Sequence, residues 1–234
     1  MQLFCFTFAG GSASFFDTLE QHIGAFIEVV KLEYAGHGTR RRESFYNSFS
    51  QLAEDLYGVI RSYYRKGEDY ALFGYSMGSI SAVETLKKIL CFSEMPRPVH
   101  MFLAAHEPRT KSELAGYSAA DQDEGVKART IRFGGIPERL IDNKSFWRVY
   151  LPVYRADYTL IKNYNFQCLD LKSEIPATIF YSETDTPYAD MAQWKRFFVG
   201  ECGFVRYEGS HFFIQEHCQE MANVIRRSLL RDEL

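Results

Sequence analysis

The chain has 234 residues, a length that suits one domain with an insertion. Its composition, 46% hydrophobic, 24% charged and 16% aromatic, is that of a packed globular protein and excludes disordered, collagen-like and coiled-coil chains. The 27 basic and 30 acidic side chains leave a net charge of −3, so the sequence provides no overall positive field to attract nucleic acid or an acidic membrane surface.

The first residues predict a β-strand rather than a targeting segment, because no basic region precedes their short apolar run. No apolar run reaches the roughly 18 to 20 residues of a membrane-spanning helix. The five cysteines are odd in number, widely spaced and free of CxxC pairs, which argues against a disulfide framework and a zinc site. We therefore expect a cytoplasmic protein that binds neither metal nor membrane.

Short β-like runs alternate with helical patterns along the first half of the chain. Strands are predicted where short apolar runs end in polar turns, at residues 3–8, 27–33, 70–73, 99–104, 177–181 and 204–207. Apolar side chains at helical spacing predict helices at residues 48–64, 79–90 and 214–229, the first opened by a capping-box pattern. This alternation predicts an α/β fold with a mostly parallel central sheet flanked by helices.

The alternation of predicted strands and helices stops between about residues 108 and 172. Charged and aromatic helical segments replace it, with breaks at residues 134–137 and at Pro152. No internal repeat, linker or low-complexity tract is present. We predict a single domain over residues 1–234 with a helical insertion at about 108–172.

The pentapeptide Gly74-Tyr75-Ser76-Met77-Gly78 matches the G-x-S-x-G pattern of a nucleophile elbow. A predicted strand precedes it and a predicted helix follows it, which is the context that this short pattern requires. Glycines are needed on both sides because larger side chains would clash with the adjoining strand and helix. Ser76 is thus the predicted nucleophile, and an ordinary turn flanked by glycines is the alternative.

A serine hydroxyl needs a base to take its proton, and folds built around such an elbow supply the acid before the histidine. Of the late histidines, His211 follows a predicted strand, whereas His217 falls within the last helix. We predict His211 as the base. His106, which ends an earlier strand, is a candidate for the pocket lining.

The acid is predicted at Asp185, which follows the strand at 177–181 and precedes His211 by one helix and one strand. Asp157 also lies between the serine and the histidine, but it sits in a helical part of the insertion. An ion pair with Arg155 or another residue of the insertion is the simpler role for it. Asp190 is a third candidate.

Two aimed donors are needed to stabilise a developing oxyanion. The Met77 amide supplies one, and the loop of residues 8–13 after the first strand supplies flexible backbone for the other. The glycines of this loop do not indicate a phosphate site, because neither a GxGxxG pattern nor a P-loop lysine is present.

Taken together, these motifs resemble those of the type II, or editing, thioesterases of nonribosomal peptide and polyketide synthesis, members of the α/β-hydrolase superfamily. The family's F-P-x-A-G-G-S-A, L-P-G-R-G-x-R and F-G-H-S-M-G motifs correspond to residues 6–13, 33–40 and 73–78. Its G-G-x-P, P-x-x-R-A-D and G-x-H-F-F motifs correspond to residues 134–137, 152–157 and 209–213. The resemblance therefore runs along the whole chain.

The sequence departs from the family pattern in three places. Thr7 replaces a proline, Ala35-Gly36-His37 replaces P-G-R, and Tyr75 replaces the histidine of the elbow. None of these changes removes a predicted triad residue. We expect Tyr75 either to alter which acyl chains fit or to pack under the elbow.

The resemblance implies an α/β-hydrolase fold in which the insertion forms a lid. It assigns the catalytic serine, acid and base to Ser76, Asp185 and His211, and the oxyanion amides to Met77 and Ala9. The implied substrate is an acyl thioester on the 4′-phosphopantetheine arm of an acyl or peptidyl carrier protein domain, and no cofactor of the enzyme's own is expected. A monomer is the default oligomeric state.

Candidate contacts with substrate or carrier are Phe8, Tyr75, Arg40 and Arg41. The run 40–42 is the densest basic cluster and can meet phosphate or an acidic carrier surface, although a solvated loop is an equal alternative. Aromatic residues of the insertion can cover an acyl chain or form the core of the lid, and they include Phe133, Phe146, Trp147 and Tyr150. The alternative functions are a carboxylesterase or lipase for small oxyesters and an inert hydrolase-like binding module.

Overall fold

A computed structural model gives the fold of the protein and describes residues 1–92, 94–108 and 123–230. The segment 109–122 of the predicted insertion lies outside the described residues. No described helix has the length and apolar character needed to cross a membrane.

The described residues form one six-stranded sheet. Its strands are β1 (Gln2–Phe6), β2 (Glu28–Leu32), β3 (Tyr70–Tyr75), β4 (His100–Ala104), β5 (Ala177–Ser182) and β6 (Cys202–Tyr207). They lie in the order β2-β1-β3-β4-β5-β6, and every neighbouring pair is parallel. Strands β1, β3, β4 and β5 are buried along their whole length, as expected for a parallel sheet covered on both faces. The predicted mostly parallel central sheet is confirmed.

Helices cover both faces of the sheet. They are α1 (Asp17–Ile23), α2 (Phe49–Tyr63), α3 (Met77–Cys91), α4 (Asp123–Phe133), α5 (Glu138–Ile141), α6 (Lys144–Asn163), α7 (Tyr188–Met191) and α8 (Ile214–Leu229). Helices α2 and α3 pack together on one face, and α1 and α8 pack together on the other. The sheet therefore separates two apolar cores.

The side chains of β1 show how the sheet divides these cores. Phe4 and Phe6 point into the core of α2 and α3, whereas Leu3 and Cys5 point into the core of α1 and α8. Successive residues of a strand face opposite sides, and all four of these are fully buried. An uninterrupted apolar run is thus what a central strand between two helical layers requires.

Polar side chains fix where two of the longer helices begin. The Ser48 hydroxyl accepts a hydrogen bond from the Gln51 amide at the start of α2, as the capping-box pattern predicts. The Asn143 side chain likewise accepts from the Phe146 amide at the start of α6. These caps satisfy amide groups that have no partner within the first turn of a helix.

Helices α4, α5 and α6 make up most of the described part of the predicted insertion. Helix α6 is 20 residues long, contains Pro152 and packs against α4. Its buried face includes Trp147, Tyr154 and Tyr158, which join the core above α2 and α3. The inserted helices thus pack onto the same face of the sheet as the elbow helix α3.

Candidate active site

Ser76 occupies the sharp turn between β3 and α3, with a backbone φ of 54° and ψ of −119°. A Cβ at Gly74 would clash with the carbonyl of Gly78, and a Cβ at Gly78 would clash with the carbonyl of Phe6. The two glycines are therefore required because the elbow packs tightly against itself and against the end of β1. The Ser76 amide donates to the Ala104 carbonyl at 2.8 Å, which ties the turn to β4.

Ser76, His211 and Asp185 form a continuous hydrogen-bonded chain. Nε2 of His211 lies 2.9 Å from Oγ of Ser76, and Nδ1 of His211 lies 2.9 and 3.0 Å from the two carboxylate oxygens of Asp185. A hydrogen on Nδ1 then faces Asp185 and leaves Nε2 free to accept the serine proton. The structure brings together the three residues that the sequence assigns to the triad.

Loops at the carboxyl ends of β5 and β6 hold the acid and the base. Asp185 follows β5 in a turn closed by its amide to the Ser182 carbonyl at 3.1 Å. The Ser182 hydroxyl donates to the carbonyl of Gly209, two residues before His211. The side chains of Asp185 and His211 are largely buried, at 9% and 11% exposed respectively. The two loops thus support each other beside Ser76.

The other candidate acids lie elsewhere. Asp190 is exposed in α7. Asp157 is buried in α6, where it contacts His37 and the amide of Gly10. The expected ion pair of Asp157 with Arg155 or another residue of the insertion is wrong, because Asp157 contacts His37 outside the insertion and Arg155 pairs with the exposed Asp123.

Of the two expected oxyanion donors, Met77 follows Ser76 in the chain and Ala9 belongs to the wall of the same cavity. Met77 follows Ser76 as the first residue of α3, where amides lack partners within the helix and the helix dipole favours negative charge. Ala9 lines the same cavity as Ser76 and lies in a turn closed by the Gly11 amide to the Phe8 carbonyl at 3.0 Å. Gly10 takes a positive φ of 76° in this turn, which explains the need for glycine there.

A cavity of about 160 Å³ opens beside Ser76. Its walls come from the loop after β1, the elbow, helices α4 and α6, and the loops of Asp185 and His211. Aromatic side chains form much of the wall, among them Phe8, Phe133, Tyr154, Tyr158, Phe166 and Phe212. His106 also lines the cavity, next to the buried carboxylate of Glu107. The lining also includes charged side chains, among them Arg129 and Arg132, so the cavity is mixed in polarity, and its aromatic wall is the part that suits an acyl chain.

The insertion's candidate aromatic residues divide between cavity and core. Phe133 lines the cavity, and its ring centroid lies 4.5 Å from that of His211. Trp147 belongs to the core of the insertion, where its indole donates to the Ile141 carbonyl. Phe146 and Tyr150 stack on each other away from the cavity, and Tyr150 is 42% exposed.

The structure corrects the expectation that Tyr75 contacts the substrate. Phe8 does line the cavity, but Tyr75 is fully buried behind it and outside its lining. The Tyr75 hydroxyl donates to the His211 carbonyl at 2.7 Å, and its ring stacks on Phe212. Packing under the elbow, the second of the two expectations, is the one that the geometry supports.

Arg40 and Arg41 differ in their surroundings. The Arg40 guanidinium is engaged by two carboxylates, Glu43 at 2.5 Å and Asp55 at 2.7 Å, so it is not free to bind a carrier protein. The hydrogen bonds to Glu43 and Asp55 raise the pKa of Arg40 further above its ordinary value. Arg41 is exposed and enters no ion pair among the described residues, which leaves it as the better candidate for docking.

Within the described residues, no group of three or more histidine, cysteine, aspartate or glutamate side chains is arranged to hold a metal ion. The hydrogen-bonded serine, histidine and aspartate instead provide a nucleophile, a base and an orienting carboxylate for acyl transfer.

Comparison with known proteins gives concordant matches. The family described as the thioesterase domain matches residues 1–229. Thioesterase PikA5 of Streptomyces venezuelae is 28% identical over 98% of this chain and 81% of its own length. The human medium-chain S-acyl fatty acid synthase thioesterase is 26% identical over 94% of this chain and 83% of its own length. The crystal structure of ClbQ, from the colibactin NRPS/PKS pathway, superposes with a TM-score of 0.88 at 25% identity, covering 98% of this chain and 97% of ClbQ.

Proposed function

The chain belongs to the thioesterase family, and from that premise we propose that it is a type II thioesterase that removes aberrant or misprimed acyl groups from the phosphopantetheine arms of carrier proteins. The observation that carries the proposal is the hydrogen-bonded chain of Ser76, His211 and Asp185 at the wall of a cavity partly lined by aromatic side chains. The similarity to ClbQ, which comes from an NRPS/PKS pathway, supports the choice of biosynthetic system.

The acylation step uses the residues at the observed distances. His211 Nε2 takes the proton of Ser76 as the serine oxygen attacks the thioester carbonyl carbon, and Asp185 stabilises the resulting imidazolium. The amides of Met77 and Ala9 donate to the oxyanion that forms on the carbonyl oxygen. When the carbon–sulfur bond breaks, the imidazolium proton goes to the departing phosphopantetheine sulfur, and the acyl group remains on Ser76.

Deacylation repeats the same proton transfers with water. His211 takes a proton from a water molecule whose oxygen attacks the acyl-serine carbonyl, and the same two amides stabilise the second oxyanion. The imidazolium then returns its proton to the Ser76 oxygen as the ester bond breaks. The products are a free carboxylic acid and the regenerated serine, so the cycle needs no cofactor of the enzyme's own.

The insertion is proposed to serve as a lid over the acyl chain. Phe133 of α4 and Tyr154 and Tyr158 of α6 contribute to the cavity wall, so the acyl group is held between the inserted helices and the sheet edge. This arrangement excludes water from an apolar chain while leaving the nucleophile accessible to a thioester.

Selection of thioesters over oxyesters has to come from binding of the arm and its carrier. A thiol of pKa about 8.5 leaves more readily than an alcohol, but the triad itself acts on either. We propose that acyl or peptidyl carrier domains dock near the exposed Arg41, and that the enzyme works as a cytoplasmic monomer without nucleic acid or membrane partners.

Hydrolysis of an acyl-pantetheine thioester and its matching oxyester tests this proposal against the carboxylesterase or lipase alternative. The wild-type enzyme should have the higher kcat/KM for the thioester, and Ser76→Ala should abolish both activities. A higher kcat/KM for the oxyester would identify an esterase. Failure of a covalent serine probe to label Ser76 would support an inert binding module.

A further inference from the structure

The loop that holds Ala9 contacts helix α6 at two neighbouring points. The Gly10 amide donates to Oδ2 of Asp157 at 2.7 Å. The ring of Tyr154, one turn earlier in α6, lies so close to Gly10 that a Cβ there would clash with it. The inserted helix therefore touches the residue that directly follows the proposed oxyanion donor.

Asp157 also meets His37, in the turn that follows β2. Oδ2 of Asp157 lies 2.9 Å from Nε2 of His37, and the two side chains are only 3% and 2% exposed. Nδ1 of His37 lies 3.0 Å from the Ala35 carbonyl oxygen, which can only accept a hydrogen bond. A carbonyl at one ring nitrogen and a carboxylate at the other is the arrangement that an imidazolium satisfies, because both of its nitrogens donate.

The other groups around His37 agree with a charged ring. Burial disfavours the charge, but the Asp157 carboxylate, the Ala35 carbonyl and the Glu33 carboxylate outweigh it, and the pKa of His37 is raised. The Tyr34 ring lies edge-on to His37, and burial raises the pKa of the Tyr34 phenol well above its ordinary value, which keeps it neutral. Among the groups that affect its pKa, His37 therefore faces two carboxylates and no positively charged side chain.

Glu33 binds the far end of the loop that follows β1. Its Oε1 accepts from the Ala13 amide at 3.1 Å, and its Oε2 accepts from the Thr39 amide at 3.3 Å. The loop after β1 is thus fastened at Gly10 by Asp157 and at Ala13 by Glu33. Of these two carboxylates, only Asp157 belongs to the inserted helices.

We infer that Asp157 and His37 form a buried ion pair that positions the oxyanion loop and makes the oxyanion hole depend on the placement of α6. The inference rests on the proposed function, because it takes the Ala9 amide as an oxyanion donor. Asp157 does not line the cavity, so it acts through Gly10 as a positioning residue. The Gly10 amide donates to a carboxylate oxygen that also contacts His37, and hydrogen bonds to a charged acceptor are stronger than those between neutral groups.

The ion pair gives the reaction an alkaline limit. Below its raised pKa, His37 is charged and holds Asp157 in place. As the pH rises through that pKa, Nε2 loses its proton and its lone pair faces the carboxylate, so the pair separates and the Gly10 amide loses its fixed acceptor. An arginine at position 37 would stay charged throughout, because its pKa lies above about 12.

The test compares His37→Gln, His37→Arg and Asp157→Asn with wild type in hydrolysis of an acyl-pantetheine thioester between about pH 6 and pH 10. His37→Gln and Asp157→Asn should lower kcat about 10- to 100-fold with little change in KM. This fall in kcat is smaller than the fall caused by removing an oxyanion donor itself, because the Ala9 amide is displaced and not lost. His37→Arg should restore most of kcat and remove the alkaline limb. Arg155→Gln, which removes an exposed ion pair from the same helix, is the matched control and should behave as wild type.

Several results would overturn the inference. They are an unchanged kcat in Asp157→Asn, a rise in KM in place of the fall in kcat, and an alkaline limb that persists in His37→Arg. If Ser76→Ala also kept its activity, the proposed function would fail as well; an inactive Ser76→Ala beside a normal Asp157→Asn would reject the positioning role alone.

A measurement on the wild-type protein applies even if the variants do not fold. Nitrogen-15 NMR of the histidine rings at about pH 7, where an ordinary histidine of pKa about 6.5 is mostly neutral, reports the protonation of His37. Two protonated ring nitrogens support the ion pair. A neutral His37 ring at that pH would reject it.

Discussion

Ser76 has a positive φ of 54°, a conformation that residues with side chains rarely adopt. The hydrogen bonds around the elbow maintain this strain, since the Ser76 amide is bonded to β4 and the Ser79 hydroxyl donates to the Gly74 carbonyl. Strain of this kind is common at functional sites and costs of order 1–3 kcal/mol. Ser76 thus lines the cavity at the expense of local stability.

Ser76→Gly should therefore be more stable than Ser76→Ala. Both variants lose the hydroxyl, but glycine adopts a positive φ freely, and the difference should be about 1 kcal/mol after the greater freedom of glycine in the unfolded chain is subtracted. Thermal unfolding should show a Tm about 2–4 °C higher for the glycine variant. An alanine variant of equal or higher Tm would show that the elbow is not strained.

Tyr75→Phe isolates the hydroxyl that bonds the His211 carbonyl. We expect kcat to fall about 3- to 10-fold, because the His211 loop loses its buried anchor, and stability to fall by about 1–3 kcal/mol. The ratio of kcat/KM for short and long acyl chains should not change, because Tyr75 lies outside the cavity. A changed ratio of kcat/KM, measured on a series of acyl-pantetheine thioesters, would show that Tyr75 does contribute to acyl-chain selection.

For the secondary-structure elements, short apolar runs that end in polar turns predicted every strand of the described sheet to within a few residues. The short helices α1 and α7 carry too few apolar side chains for a period to be recognised. The triad was predictable because its residues follow strands whose carboxyl ends meet. The bond between Asp157 and Gly10 was not, because it joins residues 147 positions apart through the placement of an inserted helix.

The loop that carries Arg40 and Arg41 provides an element-scale prediction. Arg41→Glu should raise the KM for a carrier-bound acyl group several-fold and leave the KM for acyl-pantetheine unchanged, because only the carrier offers an extended charged surface. Lys66→Glu is the matched charge reversal, since the exposed Lys66 precedes β3 at the opposite edge of the sheet. Equal effects of Arg41→Glu on both substrates would exclude docking at this loop.

Arg40→Glu should behave differently from Arg41→Glu. It places a third carboxylate beside Glu43 and Asp55, so we expect it to lower the free energy of unfolding, whereas Arg41→Glu should not. Chemical denaturation of the two variants measures this difference. Equal unfolding free energies would show that the Arg40 network contributes little to the fold.

At the scale of the whole molecule, the parallel sheet gathers the site at one edge. Ala9 follows β1, Ser76 follows β3, Asp185 follows β5 and His211 follows β6, and all four line one cavity. Ligand sites of open parallel sheets lie at this edge because the connecting loops converge there. The inserted helices then close over the same edge, and Asp157 links them to the loop of Ala9.

The proposed function requires this site to release acyl groups from carrier-protein arms through an acyl-enzyme on Ser76. Its most direct test follows the intact mass of an acylated, phosphopantetheinylated carrier protein incubated with wild type or Ser76→Ala. Wild type should return the carrier to its free-thiol mass faster than it hydrolyses a matched oxyester, and Ser76→Ala should leave the acyl group in place. A carrier that stays acylated with the wild-type enzyme while the oxyester is consumed would contradict the proposed function.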